Sequence, residues 1–309
     1  MKKLIALCLA MLFLAGCAGD IPETTPGTTV TTTVETEPPA TWQKIPSNHK
    51  IAAQQYFVYN CETESFLTIS GKETDKIYPA SVTKLFTAYV AIQFLGADQA
   101  VTAGDAMNLV AAGSSVAEIA KGDVLTVKQL VEAMLLPSGN DAACILAVEA
   151  GRLLKNKSSL SATEASAAFV KEMNRQAALL GLSGTNFANP DGIHSDNHYT
   201  TFADLAKLGM LALEDPTIMK FAAVSNDTVT FVSGKSKTWK NTNALIDPAS
   251  PYYCPLALGL KTGQTPYAGS CLLSAFEVDG TTLIIGVFGC PKEEDRFEDT
   301  LWLLQKHLP

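Results

Sequence analysis

The chain has 309 residues, 47% of them hydrophobic and 17% charged, and carries a formal net charge of −8. That is ample apolar material for one large core or two ordinary ones, so the bulk of the chain is globular. The acidic balance argues against a nucleic-acid partner.

The first residues, Met1-Lys2-Lys3, are basic, and the apolar run from Leu4 to Ala15 is too short for a comfortable membrane span, which is how a secretory signal reads. It ends in Leu14-Ala15-Gly16-Cys17, which resembles the bacterial lipoprotein signal. Cleavage before Cys17 would expose its thiol and amine for lipid. The small residues ahead of it favour that reading over an ordinary signal that happens to carry a cysteine. From Ala18 to about Ile45 the sequence is mostly Thr, Pro, Glu and Gly with no apolar face to bury, as in a tether. Partly extended, at ~3 Å per residue, it would hold a folded domain several tens of ångströms off a membrane. The expected organisation is a signal over 1–16, a lipidated Cys17 and Thr/Pro-rich tether over 17–45, and one folded domain over 46–309.

With Cys8 in the signal and Cys17 lipidated, Cys61, Cys144, Cys254, Cys271 and Cys290 remain, an odd number without a C-x-x-C. No disulfide is assigned, and most read as small buried hydrophobes.

In chain order, residues 51–59 and 65–69 read as two strands joined by a polar turn at Asn60 to Glu64. Pro79 then sits where a helix begins, and an apolar run from Val82 to Leu95 ends at Gly96. Ser81 is an early residue of that helix. Lys84, three positions on, projects from the same face and reaches its hydroxyl. A lysine takes a serine proton only if its own pKa falls towards neutrality. Burial and the partial positive charge of a helix N-terminus both push that way. The pair alone is weak, because S-x-x-K occurs about once by chance in a chain of this composition. A second copy, Ser47-Asn48-His49-Lys50, follows Pro46 without a helical pattern and reads as linker.

A mainly helical region follows. Thr126 caps a helix stopped by Pro137, Asp141 to Ala150 and Glu164 to Leu180 continue the pattern to Gly181, Thr201 opens a helix to Leu213, and Asp215-Pro216 starts a short one. After residue 224 the period becomes alternating. Strands are expected over 227–232, 257–261, 270–278 and 281–288, with Asp279-Gly280 as a hairpin turn that puts Cys271 and Cys290 on one face but not opposite each other. A last helix, 293–307, has an apolar stripe of Phe297, Leu301, Leu304 and Leu308. Phe297 and Trp302 read as core, and Met134, Met173 and Met210 need no functional role. The fold class is therefore α+β. An antiparallel sheet is built from both chain ends with flanking helices, beside an inserted helical subdomain.

Two further motifs follow Ser81. Ser138-Gly139-Asn140 lies in a loop between helices. Gly259-Leu260-Lys261-Thr262-Gly263-Gln264-Thr265 places a cation and hydroxyls on a strand whose glycine permits close approach. In this order, Ser81-x-x-Lys84, Ser138-x-Asn140 and Lys261-Thr262-Gly263 resemble the three signatures of penicillin-binding proteins and serine β-lactamases. The surrounding words are similar to the D-alanyl-D-alanine carboxypeptidases of the low-molecular-weight penicillin-binding proteins. They are Tyr78-Pro79-Ala80-Ser81-Val82-Thr83-Lys84, Met134 to Ala143, Asn186 to Gly192, His198-Tyr199-Thr200-Thr201, Asn241-Thr242-Asn243 and Gly259 to Gly263, and the match runs from about residue 50 to 305.

The resemblance implies a β-lactamase/D,D-peptidase-like fold and a serine carboxypeptidase that trims peptidoglycan stem peptides ending in D-Ala-D-Ala, is acylated by β-lactams and needs no cofactor. Ser81 is then the nucleophile and Lys84 its base. Ser138, between Lys84 and Lys261, relays the proton to the departing D-alanine. Asn140 orients Lys84 and a substrate amide, Lys261, Thr262 and Thr265 bind the terminal carboxylate, and the amides of Ser81 and Gln264 hold the oxyanion. Gln264 departs from many relatives, which carry an aromatic or histidine there. The chain also ends soon after the last helix, without the C-terminal all-β domain of many relatives, so the lipid at Cys17 is expected to anchor the protein to the extracytoplasmic face of the membrane.

Two alternatives stay in view, a serine β-lactamase and a catalytically silent peptidoglycan-binding lipoprotein. A literal Ser195-Asp196-Asn197 matches the second signature of many β-lactamases, but it lies where the family has a loop. No Glu-x-x-Leu-Asn stretch supplies their deacylating base. His194 and His198, with Asp191 and Asp196, hint at a metal, but there is no H-E-x-x-H helix, and no metal is expected.

Overall fold

The computed structural model describes residues 42–308. The expected signal, Cys17 and most of the tether lie outside them. The elements are β1 (Gln55–Asn60), β2 (Ser65–Ile69), β3 (Lys76–Ile77), α1 (Thr83–Ala91), β4 (Ala100–Thr102), β5 (Val124–Thr126), α2 (Val127–Leu135), α3 (Asn140–Leu154), α4 (Ala162–Leu179), β6 (Thr200–Thr201), α5 (Phe202–Glu214), α6 (Pro216–Ala222), β7 (Asn226–Thr230), β8 (Ser236–Lys240), β9 (Ala257–Thr265), β10 (Gly269–Val278), β11 (Thr281–Cys290) and α7 (Asp295–Lys306).

Strands from both chain ends meet in one antiparallel sheet of order β2-β1-β11-β10-β9. Successive side chains of a strand point to opposite faces, and here each face has its own core. Phe57, Tyr59, Leu273, Ala275 and Ile284 join the core built with α1 to α5. Val58, Leu272, Leu283, Ile285 and Val287 join a second core under α7 with Phe297, Leu301 and Leu304. Both faces are covered, so these strands read as near-continuous apolar runs. The order leaves β9 at an edge, where it faces the helical subdomain.

Local chemistry starts and stops the helices as expected. Thr126 forms a capping box with Gln129, Thr201 Oγ1 accepts from the Asp204 amide, Asp215 accepts from the amides of Thr217 and Ile218, and Gly181 closes α4 with φ +71°. A capping box at Ser161 and Glu164 starts α4 slightly earlier than predicted.

Four expectations change. The strand expected from residue 51 begins at Gln55, because the amides of Ala52 and Ala53 donate to the buried Asp299 carboxylate of α7 instead of to a neighbouring strand. Ile45, expected in the tether, is buried and exchanges two hydrogen bonds with Gln305, so packing starts ahead of residue 46. The strand expected over 227–232 pairs with β8 in a separate two-stranded hairpin, not in the main sheet. β8 itself, Ser-Lys-Thr-Trp-Lys, has a single apolar residue and no readable alternation. Trp302, expected as core, is only partly buried at the margin of the second core.

Candidate active site

Ser81 lies in a single 3₁₀ turn, Ala80–Val82, that runs directly into α1. Lys84, in the first turn of α1, is fully buried, and its Nζ donates to Ser81 Oγ at 2.7 Å and to the Asp191 carbonyl at 2.8 Å. Burial lowers the Lys84 pKa to about 8, partly opposed by the Asp191 carboxylate, Cys144 and Asp141. Spacing alone anticipates the Ser81 contact. The Asp191 carbonyl is new, because a backbone oxygen has no residue-type signature.

Asp191 belongs to a turn that several bonds hold in place. Asn189 accepts from the Gly192 amide and donates to the Ile193 carbonyl, while Thr87 donates to the Pro190 carbonyl. Gly192 has φ +86°, and a Cβ there would stand 1.9 Å from the Ala80 carbonyl oxygen, so the turn lies against the backbone at Ser81. Gly263 of β9 does the same from the other side, where a Cβ would stand 2.9 Å from the Ser81 nitrogen. That close approach brings the Lys261-Thr262-Gly263-Gln264 stretch beside Ser81.

Lys261 is buried and its Nζ donates to the carbonyl and, at 3.4 Å, the Oγ1 of Thr262. Burial, then the charges of Lys84 and Arg296, hold its pKa well below the usual lysine value. Thr262 Oγ1 pairs with Thr242 Oγ1, which ties the Asn241-Thr242-Asn243 block to the site. Ser138 is buried in the left-handed region, φ +63°, but no hydrogen bond joins it to Lys84 or Lys261 among the described residues. The bridging position expected of it is not formed in the free site. Nor does a hydrogen bond join Asn140 to Lys84; its Oδ1 is buried without a partner among the described residues. Thr265 Oγ1 accepts from the Ala268 amide, so it shapes the β9–β10 turn and keeps its O–H free to donate.

Of the seven non-glycine residues with positive φ among those described, Ala80, Ser138 and Leu260 fall in the three motifs. Backbone strain gathers where catalytic side chains need a fixed aim. A groove of about 440 Å³ opens at Ser81, walled also by Asn140, Gln264 and Thr265, by the loop Ala111 to Ser115, and by Asp191 to His194. The loop is held by Asp141, a fully buried carboxylate unforeseen from sequence, which accepts from the amides of Ala117 and Ile119; Trp239 Nε1 adds a bond to the Ala117 carbonyl.

Elsewhere the secondary candidates stay apart. His198 accepts from the Ala188 amide at Nδ1 and therefore donates from Nε2 to Thr83 Oγ1, a structural bond, and burial lowers its pKa to about 4. His194 is 3.5 Å from Asp196, and no cluster of three or more metal-ligating side chains occurs among the described residues. His49 of the Ser47–Lys50 copy binds Asp299, and Ser195 accepts from the Asn197 amide within an exposed loop. Cys61, Cys144, Cys254, Cys271 and Cys290 are all free thiols.

Comparison with known proteins agrees with this geometry. A family profile described as D-alanyl-D-alanine carboxypeptidase matches residues 42–292. The D-alanyl-D-alanine carboxypeptidase of Streptomyces sp. (strain K15) is 35% identical over 246 residues, covering 76% of this chain and 79% of that one. The crystal structure of the Streptomyces K15 DD-transpeptidase superposes with a TM-score of 0.74 at 32% identity, over 84% of this chain and 98% of that one. Penicillin-binding protein D2 from Listeria monocytogenes, solved in its ampicillin-bound form, gives 0.66 at 29% identity over the same 84% and 98%. Some relatives are longer, and the chain spans 54% of the D-alanyl-D-alanine carboxypeptidase DacF of Bacillus subtilis. With three ordered motifs folded onto one groove and this extent of similarity, the chain belongs to the D-alanyl-D-alanine carboxypeptidase family.

Proposed function

We propose that this chain removes the terminal D-alanine from peptidoglycan stem peptides through an acyl-enzyme on Ser81. The observation that carries the assignment of roles is the 2.7 Å contact of Ser81 Oγ with a buried lysine whose pKa falls to about 8. Neutral Lys84 takes the Ser81 proton as Oγ attacks the carbonyl of the penultimate D-alanine. Base help of this kind is typically worth ~10² to 10⁴-fold. The oxyanion sits between the amides of Ser81 and Gln264, each donor contributing about 3 kcal/mol in comparable sites. As the C–N bond breaks, the proton passes to the departing D-alanine nitrogen by way of Ser138. Water then cleaves the ester, with Lys84 again as base.

Lys261 and Thr262 present a cation and a hydroxyl to the terminal carboxylate, and Thr265 offers its remaining O–H. The unpartnered Oδ1 of Asn140 in the groove wall suits a substrate amide, because a buried acceptor left open has a ligand to gain. A β-lactam would enter the same groove and acylate Ser81. We also propose export and anchoring through lipid on Cys17, supported by the Leu14-Ala15-Gly16-Cys17 tetrad and the Thr/Pro-rich run after it. A Cys17→Ala protein that still fractionates with membranes after signal cleavage would sink the anchor.

The main test is the intact mass of a fragment starting near Trp42, read soon after benzylpenicillin and again hours later. A lasting adduct that Ser81→Ala abolishes supports the carboxypeptidase. Rapid return to the free mass with hydrolysed drug means a β-lactamase, and no adduct means a silent binder. Since one structural relative is named a DD-transpeptidase, product analysis with an added amine acceptor separates transfer from hydrolysis.

A further inference from the structure

Residues 187–192 lie against the Ser81–Lys84 pair, and each of their anchors acts at a different point. The Asn174 side chain of α4 takes both the amide and the carbonyl of Phe187, the Ala188 amide donates to His198, and Asn189 accepts from the Gly192 amide. Pro190 has no N–H, so its carbonyl is its one backbone handle. That carbonyl accepts from Thr87 Oγ1 at 2.6 Å. Thr87 is fully buried on α1, three residues after Lys84 and so on the same side of the helix. The next carbonyl along the chain, that of Asp191, accepts from Lys84 Nζ at 2.8 Å and also lies 3.4 Å from Ser81 Oγ.

This geometry gives a side chain outside the three motifs a part in the chemistry. We propose that Thr87 is a positioning residue for the base: by holding the Pro190 carbonyl it fixes the Asp191 carbonyl, and so sets which way the lone pair of neutral Lys84 faces. A neutral amine has two N–H bonds and one lone pair. With one N–H committed to the Asp191 carbonyl, the pair is turned towards the Ser81 hydroxyl, 2.7 Å away. As Oγ attacks, the Ser81 proton moves onto Nζ, and the resulting ammonium keeps the Asp191 carbonyl as an acceptor. The step rests on Ser81 being acylated, as in the function proposed above. The other groups facing Lys84 are the Asp191 and Asp141 carboxylates, Cys144, His198 and Lys261. Of these only Asp191 sits on the segment that Thr87 holds. Displacing its carbonyl, and with it the carboxylate, weakens two contacts that favour the ammonium, so Lys84 then titrates lower.

The test is the second-order rate of Ser81 acylation by benzylpenicillin from pH 6 to 9.5. It is measured in the wild type, in Thr87→Val, which keeps the branched shape without the hydroxyl, and in Thr87→Ser, which keeps the hydroxyl. In Thr87→Val the plateau rate is expected to fall about ten- to hundredfold and the midpoint to move down by about half a pH unit, while Thr87→Ser stays within about threefold of the wild type. A variant that had only lost packing would lower the plateau through a smaller folded fraction and leave the midpoint in place. Thr87→Ala, smaller than the native residue and able to admit water to the carbonyl, is run alongside and judged by the same two readouts if the valine variant does not fold. An unchanged rate, a lower plateau with the midpoint unmoved, or an equal loss in Thr87→Ser would overturn the positioning role alone. No adduct on the wild type would overturn the acyl-enzyme reading and the role of Thr87 with it.

Discussion

Lys84 Nζ and Ser81 Oγ are 2.7 Å apart, and the lysine's other oxygen partner is the Asp191 carbonyl, 107 residues along the chain. The lysine is thus aimed by a residue of the turn just ahead of its helix and by a turn from a distant segment.

That arrangement makes acylation depend on pH. With its pKa lowered by burial to about 8, Lys84 is neutral in about one molecule in ten at pH 7 and in most by pH 9. The second-order rate of Ser81 acylation by benzylpenicillin is expected to rise through about pH 8 and then level off. A rate flat from pH 6 to 9.5 would remove Lys84 as the base. The same shift makes folding stability rise with pH between about 8 and the unfolded lysine value, since the unfolded chain binds more protons there.

Gly192 is the backbone position least able to change. Gly192→Ala places a Cβ against the Ala80 carbonyl at a positive φ, so we expect roughly 2 kcal/mol of lost stability from backbone strain. Benzylpenicillin acylation should fall at least tenfold, because Ser81 and the Asp191 carbonyl shift together. Thermal melting and the acylation rate check this, and a variant normal in both would show that the turn can relax.

Asp141 controls the groove from behind. Asp141→Ala leaves the buried amides of Ala117 and Ile119 without acceptors, an expected loss of about 2 to 4 kcal/mol for two unsatisfied donors. Hydrogen exchange should speed up over 115–119 before it does so in the main sheet, and KM for peptide should rise more than kcat falls. Exchange unchanged in that loop would place its restraint elsewhere, at Trp239.

His198 ties the Asn186–Tyr199 region to α1 as a neutral ring. Its pKa is lowered by burial from the ordinary 6.5 to about 4, so the unfolded state takes up a proton first as pH falls. The stabilisation is complete above pH 6.5 and is lost between there and about 4, an effect of about 3 kcal/mol at most. Urea midpoints measured across that window should drop in the wild type and change much less in His198→Gln.

The thiols should be nearly inert in the native state. Burial raises the pKa of Cys61 and Cys254 to about 11, of Cys144 and Cys271 to about 12, and raises Cys290 as well, so almost no thiolate exists at neutral pH. Alkylation followed by mass analysis should mark partly exposed Cys61 first and slowly, with the other four reacting only after denaturation. Rapid native labelling of Cys144 would reveal an opening of the site behind Lys84.

Much of this was legible in the residues themselves. Ser81 and Lys84 share a helix face by spacing, Thr126, Thr201, Asp215 and Gly181 punctuate helices by their own side chains or lack of one, and the β10–β11 hairpin turns at Asp279-Gly280 as its composition dictates. These are local effects, set within a few residues. The three motifs were visible because each needs particular side chains in a fixed order.

What only the tertiary structure decided involves groups without a residue signature, or partners far apart in the chain. The Asp191 carbonyl at Lys84, the Asp299 carboxylate that keeps residues 52 and 53 out of β1, and the stack of His194 on Tyr267 all join distant segments. The lowered pKa of Lys84 belongs here too, since it arises from burial by elements the sequence places far from one another. Side-chain type and spacing determine which chemistry is available. Packing determines how close the groups come and how little water reaches them, and a lysine's readiness to act as a base depends on both.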